Sequence, residues 1–473
     1  DLASFYDLLG YHFERGGEYN RAVKYLYLAG ERARKTFANS EGELLLKDAL
    51  DKLKYIDDTD GYAGKIKSAL ANIDTHVGKN DDALKLYMEL LESTEDLKER
   101  RGIQRHIGEV YQRMSEYESA LEWFHKIKDG LVPDKDVNEI FTIDVSIAWI
   151  RYLQGSTEQF GKILFNLLEM IDSIDEDDIL LRKRKSRLYN LFGIYYANTG
   201  KSELSTEYYQ KNIDLNEELN DIEGLGVAYN NIAGNYSHIG DYIESLKYYK
   251  KSLAIAEQTG DMLSQAITTY NLGQIYLSFN VIDEAEEYLR RYMYINRMIE
   301  NNLGIGYGSA GLGSVCERRG EFPAALEYYE GSYSKFTELG SKGLALYALS
   351  KWTRCLIKAG ELKEAAKKFF LYKKGTGDDN STEIRYIDAL LQGAIGDNEE
   401  AVEKFEIILS ETIAEGTKED LPDILKIIFT HTLKYDTTKA EKIKNEMIAS
   451  LEDLMNDIPE EFQQSFKDYY LNI

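Results

Sequence analysis

Residues 306–311, Gly-Tyr-Gly-Ser-Ala-Gly, match the spacing with which glycine-rich turns hold a dinucleotide. That chemistry requires a strand before the motif and a helix that opens inside it. Here a helical pattern precedes the motif, so we expect these glycines to mark close helix packing or a weakened, bendable helix. Residues 199–202, Thr-Gly-Lys-Ser, resemble the end of a phosphate-binding loop, but Tyr195 stands where its first glycine is required.

Catalytic and metal-binding patterns are the next chemistry to consider. The sequence has six histidines, and none is paired with cysteine or a carboxylate at a metal-ligand spacing. It also shows no nucleophile–base arrangement, although such a site can be assembled in space from distant residues. We therefore predict no catalytic residue, no metal and no cofactor, and keep an enzyme with a site in a groove as a distant alternative.

One strongly charged stretch lies near the middle of the chain. Acidic residues between Asp172 and Asp178 are followed by the basic segment Arg182–Arg187. Basic residues at the start of a helix oppose its dipole, so they do not stabilise it there. The two interpretations are a solvated loop whose halves neutralise each other and a docking patch for an acidic partner.

The elements that must position any site are helical. Residues 226–261 contain two amphipathic runs, with apolar and small residues at i, i+3, i+4 and i+7, separated by Gly240 and closed by Gly260. When Ala233 is numbered position 8 of a unit, a small residue recurs at position 8 and another at position 20, in steps of 40 residues. Weaker copies extend this pattern over nearly the whole chain. The clear pairs are Gly193/Ser205, Ala233/Ser245, Gly273/Ala285, Gly313/Ala325 and Thr353/Ala365.

This pattern resembles the tetratricopeptide repeat. The resemblance implies an all-α fold, a right-handed α-solenoid (superhelix) of helix-turn-helix hairpins. In it, the small residue at position 8 lets two helices approach and position 24 fills the gap. We expect four segments, with compressed N-terminal helices in 1–57, degenerate hairpins in 58–187, the regular array in 188–416 and C-terminal capping helices in 417–473.

The resemblance also implies where a ligand binds. Positions 2, 5, 6, 9, 12 and 13 of the first helix in such repeats face a concave groove. Asparagine at those positions resembles the residues with which tetratricopeptide groups hold the backbone of an extended peptide, since an amide both donates and accepts. The alternatives are a solvated polar groove without a ligand and asparagines that hydrogen-bond their own helix. Basic residues further along the same face could receive carboxylates. The candidate ligand-binding residues are Asn190, Asn198, Asn230, Asn231, His238, Tyr270, Asn271, Gln274, Arg318, Lys351 and Arg354.

The N-terminal segment resembles the first repeats that follow the winged-helix end of large signal-transduction ATPases, the STAND class, which include regulators and adenylate-cyclase-linked proteins. The matching residues are 11–14, 16–19, 22–26, 29–33 and 38–41, whereas Gly42 departs from the alanine usual there. The chain starts with Asp1 and runs directly into a helix, so we expect a fragment of a larger protein. An N-terminal ATPase or signalling module would then be a partner on the same polypeptide.

Composition limits the remaining possibilities. The chain has 57 Lys plus Arg against 82 Asp plus Glu and a formal charge of −25, which repels phosphate backbones and argues against nucleic acid. The two cysteines suit a reducing compartment, and no apolar run approaches the length that spans a bilayer. We expect a cytoplasmic protein that is not bound to membranes.

The sequence therefore predicts a recognition function. We expect a sensor or scaffold region of a signal-transduction protein that binds a protein segment or peptide in its groove. A stand-alone peptide-responsive regulator or scaffold is the alternative within the class of binding proteins.

Overall fold

A computed structural model describes residues 5–36, 38–58, 60–132, 135–174, 179–377, 381–415 and 420–471. These residues form helices and connecting turns, with no strand among them. The α-helices are α1 (Tyr6–Arg15), α2 (Tyr19–Lys35), α3 (Asn39–Lys52), α4 (Tyr62–Val77), α5 (Asn80–Ser93), α6 (Leu97–Arg113), α7 (Tyr117–Lys128), α8 (Val137–Leu153), α9 (Thr157–Asp172), α10 (Ile179–Asn198), α11 (Ser202–Glu218), α12 (Ile222–His238), α13 (Tyr242–Thr259), α14 (Met262–Ser278), α15 (Ile282–Met298), α16 (Asn302–Arg318), α17 (Phe322–Glu338), α18 (Lys342–Lys358), α19 (Leu362–Thr376), α20 (Thr382–Ile395), α21 (Asn398–Glu415), α22 (Leu421–Thr432), α23 (Thr437–Met455) and α24 (Glu460–Leu471).

Consecutive helices pair into hairpins through short turns that contain a left-handed residue. Glycine has this conformation at position 15 of most regular units, as in Gly200 (φ 70°) and Gly240 (φ 86°). Asn280 takes the same place between α14 and α15 with φ 58°. Asparagine tolerates the left-handed region better than most residues, so the same turn forms there without glycine. The predicted helical hairpins are thus confirmed, and their 40-residue period is visible in the backbone itself.

The contact between positions 8 and 24 explains why position 8 is small. A Cβ added to Gly193 would lie 2.6 Å from Cε1 of Tyr209, and one added to Gly273 would lie 2.8 Å from Cγ of Leu289. In addition, the hydroxyl of Ser205 donates to the carbonyl oxygen of Gly193 at 2.8 Å. In each of these hairpins, the backbone of the first helix at position 8 therefore contacts the side chain at position 24 of the second helix, as predicted. Position 24 holds a buried tyrosine in three of these units, namely Tyr209, Tyr249 and Tyr329.

The chain divides into two compact units. Unit 1 comprises residues 1–175, 294–305 and 338–341, and unit 2 comprises residues 176–293, 306–337 and 342–473. In unit 1, the side-chain amide of Asn39 donates to the carbonyl oxygen of Ile299 at 3.0 Å. The core of this unit is continuous from α2 to α4 through residues such as Leu46 and Ile66.

In unit 2 the last helix, α24, returns to an earlier hairpin. The ring of Phe462 lies 5.4 Å from Tyr276 and 5.8 Å from Phe279, measured between centroids. These contacts place Phe462 against the end of α14. As a result, α24 forms part of the surroundings of the α14 side chains.

Some expectations fall on parts of the chain that the structure does not describe. They are the acidic residues 175–178 and the boundary of the regular array at 416–417. Among the described helices, none is long and apolar enough to cross a membrane.

Candidate functional site

The glycine motif at residues 306–311 lies inside α16 and lines a helix contact. A Cβ on Gly306 would lie 2.5 Å from Cε1 of Phe336, and one on Gly311 would lie 2.8 Å from Cδ2 of Leu289. A helix rather than a strand surrounds the motif, so it lacks the geometry that holds a pyrophosphate. Close packing, as predicted, accounts for these glycines.

The candidate asparagines form a continuous chain of side-chain hydrogen bonds across three first helices of unit 2, which we call the amide row. Asn271 donates to Asn230 at 3.1 Å, Asn230 donates to Asn231 at 3.3 Å, and Asn231 donates to Asn190 at 2.7 Å. Thr268 adds a longer bond to Asn230 at 3.4 Å. Each amide thus fixes the orientation of the next.

The two ends of the amide row keep hydrogen-bonding capacity. Among the described residues, the Asn190 NH2 group and the Asn271 side-chain oxygen have no partner of their own. The row therefore presents a donor at one end and an acceptor at the other, both half-buried on the predicted groove face. Asn198 and His238 are exposed at the ends of α10 and α12, and neither joins the row.

Tyr270 belongs to an aromatic group next to the amide row. Its ring lies 4.9 Å from Tyr292 and 6.0 Å from Tyr307, whose ring in turn lies 6.3 Å from Tyr347. Burial raises the pKa of the Tyr270 hydroxyl well above its usual value, so the group stays neutral. Tyr347 remains 38% exposed. This group gives the groove face an apolar surface with hydroxyl edges.

The remaining four candidates, Gln274, Arg318, Lys351 and Arg354, line a single cavity of about 500 Å³ in unit 2, which we call the basic cavity. They occupy positions 6, 9 and 13 of the first helices α14, α16 and α18. The far wall consists of residues that the sequence did not single out. These are Tyr386 of α20, Asp423, Lys426 and His431 of α22, and Tyr469 of α24.

Positive charge dominates this cavity in an otherwise acidic chain. Five basic side chains and only two carboxylates line it. Aromatic rings support several of the cations, as Arg318 lies 3.9 Å from the centroid of Tyr469 and Arg354 lies 4.6 Å from that of Tyr386. Such contacts hold a cation in place without neutralising it.

Glu317 and Lys358 form a pair at the cavity wall. The Lys358 amine lies 2.6 Å from Oε1 of Glu317, and the Tyr329 hydroxyl donates to Oε2 at 2.8 Å. Burial opposes ionisation of Glu317, but attraction to Lys358 and these hydrogen bonds outweigh it, and the pKa of Glu317 lies below its usual range. One of the two carboxylates is therefore ionised and already committed to a partner.

The basic segment at the start of α10 also has partners. Lys183 lies 3.0 Å from Asp221, and Arg182 pairs with Glu218. Its charge is thus partly offset by the end of α11 and the cap of α12.

The described residues contain no group of three or more histidine, cysteine or acidic side chains that could hold a metal ion. Cys316 and Cys355 are free thiols, and burial raises the pKa of Cys355 to about 12. Such a thiol is protonated at neutral pH and is a poor nucleophile.

Comparison with known proteins agrees with this architecture. The family model described as tetratricopeptide repeat matches residues 224–297, which cover α12 to most of α15. The matched residues are tetratricopeptide repeats, and the described helices before and after them form hairpins of the same all-α array. No curated protein matches its sequence at a significant level.

Solved structures similar to this array include a Rap protein complexed with competence and sporulation factor. The identity is 14%, the match covers 84% of this chain and 99% of that chain, and the TM-score is 0.52. The apo quorum sensor NprR from B. thuringiensis shows 14% identity over 74% of the array and 99% of that chain, with a TM-score of 0.49. A STAND protein from Pyrococcus horikoshii with a tetratricopeptide repeat sensor shows 15% identity over 76% of the array and 53% of that chain, with a TM-score of 0.43. At these identities the likeness concerns the fold alone.

Proposed function

We propose that the array is a recognition module that binds an extended polypeptide segment along the groove face of unit 2. The observation that carries the proposal is the amide row, which ends in a donor at Asn190 and an acceptor at Asn271. An extended peptide backbone offers alternating carbonyl and N–H groups, which these two ends can pair. The solved Rap structure of the same fold holds competence and sporulation factor, which makes a bound partner of this kind a reasonable expectation here.

The surfaces beside the row suit a polypeptide. Tyr347 and its neighbours offer partly exposed aromatic area for apolar side chains of a ligand. Gln274 stands one helical turn after Asn271 on α14 and belongs to the lining of the basic cavity. A segment lying along the row would therefore pass from amides to aromatic rings and then towards positive charge.

A peptide-display experiment tests the proposal. Linear peptides selected on the wild-type protein should bind a double variant, Asn190→Ala with Asn271→Ala, about tenfold more weakly. The reason is that each substitution removes one hydrogen bond to the peptide, worth about 0.5–1.5 kcal/mol net. Fluorescence anisotropy of a labelled peptide gives both dissociation constants. Asn166→Ala is the matched control, because Asn166 is an exposed asparagine on α9.

Three outcomes are informative. Equal affinities for the double variant and the wild type would place the ligand elsewhere, with the segment Arg182–Arg187 as the next surface to test. Failure to select any peptide would count against polypeptide recognition altogether. Turnover of a small molecule, blocked by substitutions in the basic cavity, would instead support the enzyme alternative.

We further propose that the array acts as the sensor or scaffold region of a larger signal-transduction protein. This proposal depends on the resemblance of residues 11–41 to the repeats that follow STAND-class ATPase modules. The stand-alone regulator is the alternative. The sequence of the complete gene separates the two, because a phosphate-loop ATPase module upstream of Asp1 supports the first and its absence supports the second.

A further inference from the structure

We propose that the basic cavity is a binding site for a polyvalent anion, meaning a phosphoryl group or a compact polycarboxylate. The site lies between α14, α16 and α18 on one side and α20, α22 and α24 on the other. It goes beyond the peptide-binding proposal, because it specifies a different ligand chemistry and does not require the amide row.

The charge balance of the cavity is the first argument. Lys358 is paired with Glu317, and Arg354 lies 3.7 Å from a carboxylate oxygen of Glu383. The other three cations, Arg318, Lys351 and Lys426, form no ion pair with a described carboxylate. The only other acidic residue in the lining is Asp423. Three positive charges therefore face one negative charge, an excess that a divalent anion would balance.

The hydrogen bonds of these cations give the second argument. The Nη1 atom of Arg318 is buried and has no hydrogen-bond partner in the described part of the chain. Lys351 forms no hydrogen bond with a described residue, and its amine lies 5.3 Å from the ring centroid of Tyr347. Lys426 contacts the ring of Tyr469 at 4.2 Å and donates to the backbone carbonyl of the same residue. Donors of Arg318 and Lys351 are thus available to an anion.

Burial makes this arrangement unfavourable without a counter-ion. Desolvation lowers the pKa of both Lys351 and Lys426. At Lys351, repulsion by Arg354 acts in the same direction, and attraction to Glu317 and Glu383 offsets these effects only in part. Proteins rarely bury unpaired charges unless a partner compensates them. A guanidinium and amines that converge on one space match the geometry with which phosphoryl and carboxylate oxygens are bound.

The remaining lining suits a small ligand. The hydroxyl group of Tyr386 and the amide of Gln274 add neutral donors. The volume of about 500 Å³ lies within the range of about 300–1,000 Å³ typical of ligand pockets. This is more room than one inorganic phosphate needs, so the anionic group would belong to a larger molecule.

Thermal unfolding of the full chain with inorganic ions tests the proposal. Sodium phosphate, citrate, acetate and chloride would be compared at equal ionic strength, with calorimetric titration of phosphate and citrate. A ligand that binds only the folded state raises the melting temperature in a saturable way. We expect this response with phosphate or citrate and a much smaller one with acetate or chloride. Stabilisation by phosphate alone assigns a phosphoryl group, and stabilisation by citrate alone assigns a polycarboxylate.

Lys351→Gln is the main variant. It removes a charge that is repelled in the free protein, so we expect a higher melting temperature without anion. The variant should also bind the anion about tenfold or more weakly, as expected for the loss of one hydrogen bond to a charged group. Arg318→Gln gives an independent second test from α16. Lys250→Gln is the matched control, because Lys250 is exposed on α13 and lies outside the cavity.

The results separate this proposal from others. It is overturned if neither phosphate nor citrate binds in the calorimeter, or if Lys351→Gln and Arg318→Gln respond like the wild type. A lower melting temperature of Lys351→Gln with an unchanged anion response would show a structural role instead. Asn190→Ala with Asn271→Ala should leave the phosphate response intact, so failure of the peptide-binding proposal is distinguishable from failure of this one.

Discussion

The side-chain amide of Asn231 donates a hydrogen bond to Oδ1 of Asn190 at 2.7 Å, although the residues are 41 apart in sequence. The two positions lie on the first helices of successive hairpins, so a 40-residue repeat brings them together. The asparagines of the amide row thus hydrogen-bond one another. This link fixes the rotamers that a ligand would meet, which lowers the entropy cost of recognition.

The amide row should contribute measurably to stability. Asn231→Ala removes its bonds with Asn190 and Asn230, each worth about 0.5–1.5 kcal/mol net. The higher helix propensity of alanine returns roughly 0.5 kcal/mol. We therefore expect the free energy of unfolding to fall by about 1 kcal/mol in urea titrations followed by circular dichroism. The exposed control Asn166→Ala should instead show no loss, and equal values for both variants would mean that the row adds nothing.

The close contact at position 8 predicts opposite effects for two glycines. Gly273→Ala places a Cβ 2.8 Å from Cγ of the fully buried Leu289, which must shift. Such overpacking costs about 1–3 kcal/mol. Gly331→Ala, also inside a helix but with no atom within 4 Å of the new Cβ, should stabilise by about 0.5–1 kcal/mol. Melting temperatures that move in the same direction would contradict this helix contact.

Asp74 in unit 1 should make stability depend on pH. Asp74 is only 7% exposed. Burial raises the pKa of its carboxyl group to about 6, from a usual value of about 4. The folded state therefore holds the proton more tightly than the unfolded chain. This contribution to stability is fully present below about pH 4 and is lost as the pH rises through about 6.

Asp74→Asn removes that dependence. We expect it to stabilise the protein more at pH 8 than at pH 5, by about 1 kcal/mol in urea titrations. Asp81→Asn, at an exposed site on α5, controls for the loss of one negative charge. An identical gain at both pH values would show that Asp74 titrates normally.

Substitution of Glu317 should change stability and anion binding in the directions opposite to those expected for Lys351→Gln. Glu317→Gln breaks the pair with Lys358, and we expect the free energy of unfolding at neutral pH to fall by about 1–3 kcal/mol, as for a hydrogen bond to a charged group. The lowered pKa of Glu317 means that this contribution is present above its usual value of about 4.3 and is lost as the pH falls through the folded value.

The same variant leaves the cavity more positive, so calorimetry should show tighter phosphate binding than in the wild type. Glu364→Gln is the control, because the pair of Glu364 with Lys367 is exposed and exposed pairs contribute little. Weaker phosphate binding in Glu317→Gln would contradict the charge argument for the cavity.

The sequence alone determined the helical hairpins, their period and the register of their contacts. Gly193 at position 8 predicted a close contact with position 24, and a Cβ added there would lie 2.6 Å from the ring of Tyr209. The same register placed Gln274, Arg318, Lys351 and Arg354 on one face of successive helices, and the structure brings all four to one cavity. Helical spacing is a local property, so it can be read from residues that are close in the chain.

Only the tertiary structure decided what surrounds those residues. Lys426 and Tyr469 complete the basic cavity from α22 and α24, and no repeat register predicts their position, because the C-terminal helices lie outside the 40-residue pattern. Likewise, the resemblance to tetratricopeptide repeats implied asparagines that hydrogen-bond a ligand, whereas the fold pairs these asparagines with each other. Which partners a side chain meets depends on how helices distant in sequence pack, and burial and charge balance follow from that arrangement rather than from the residue types.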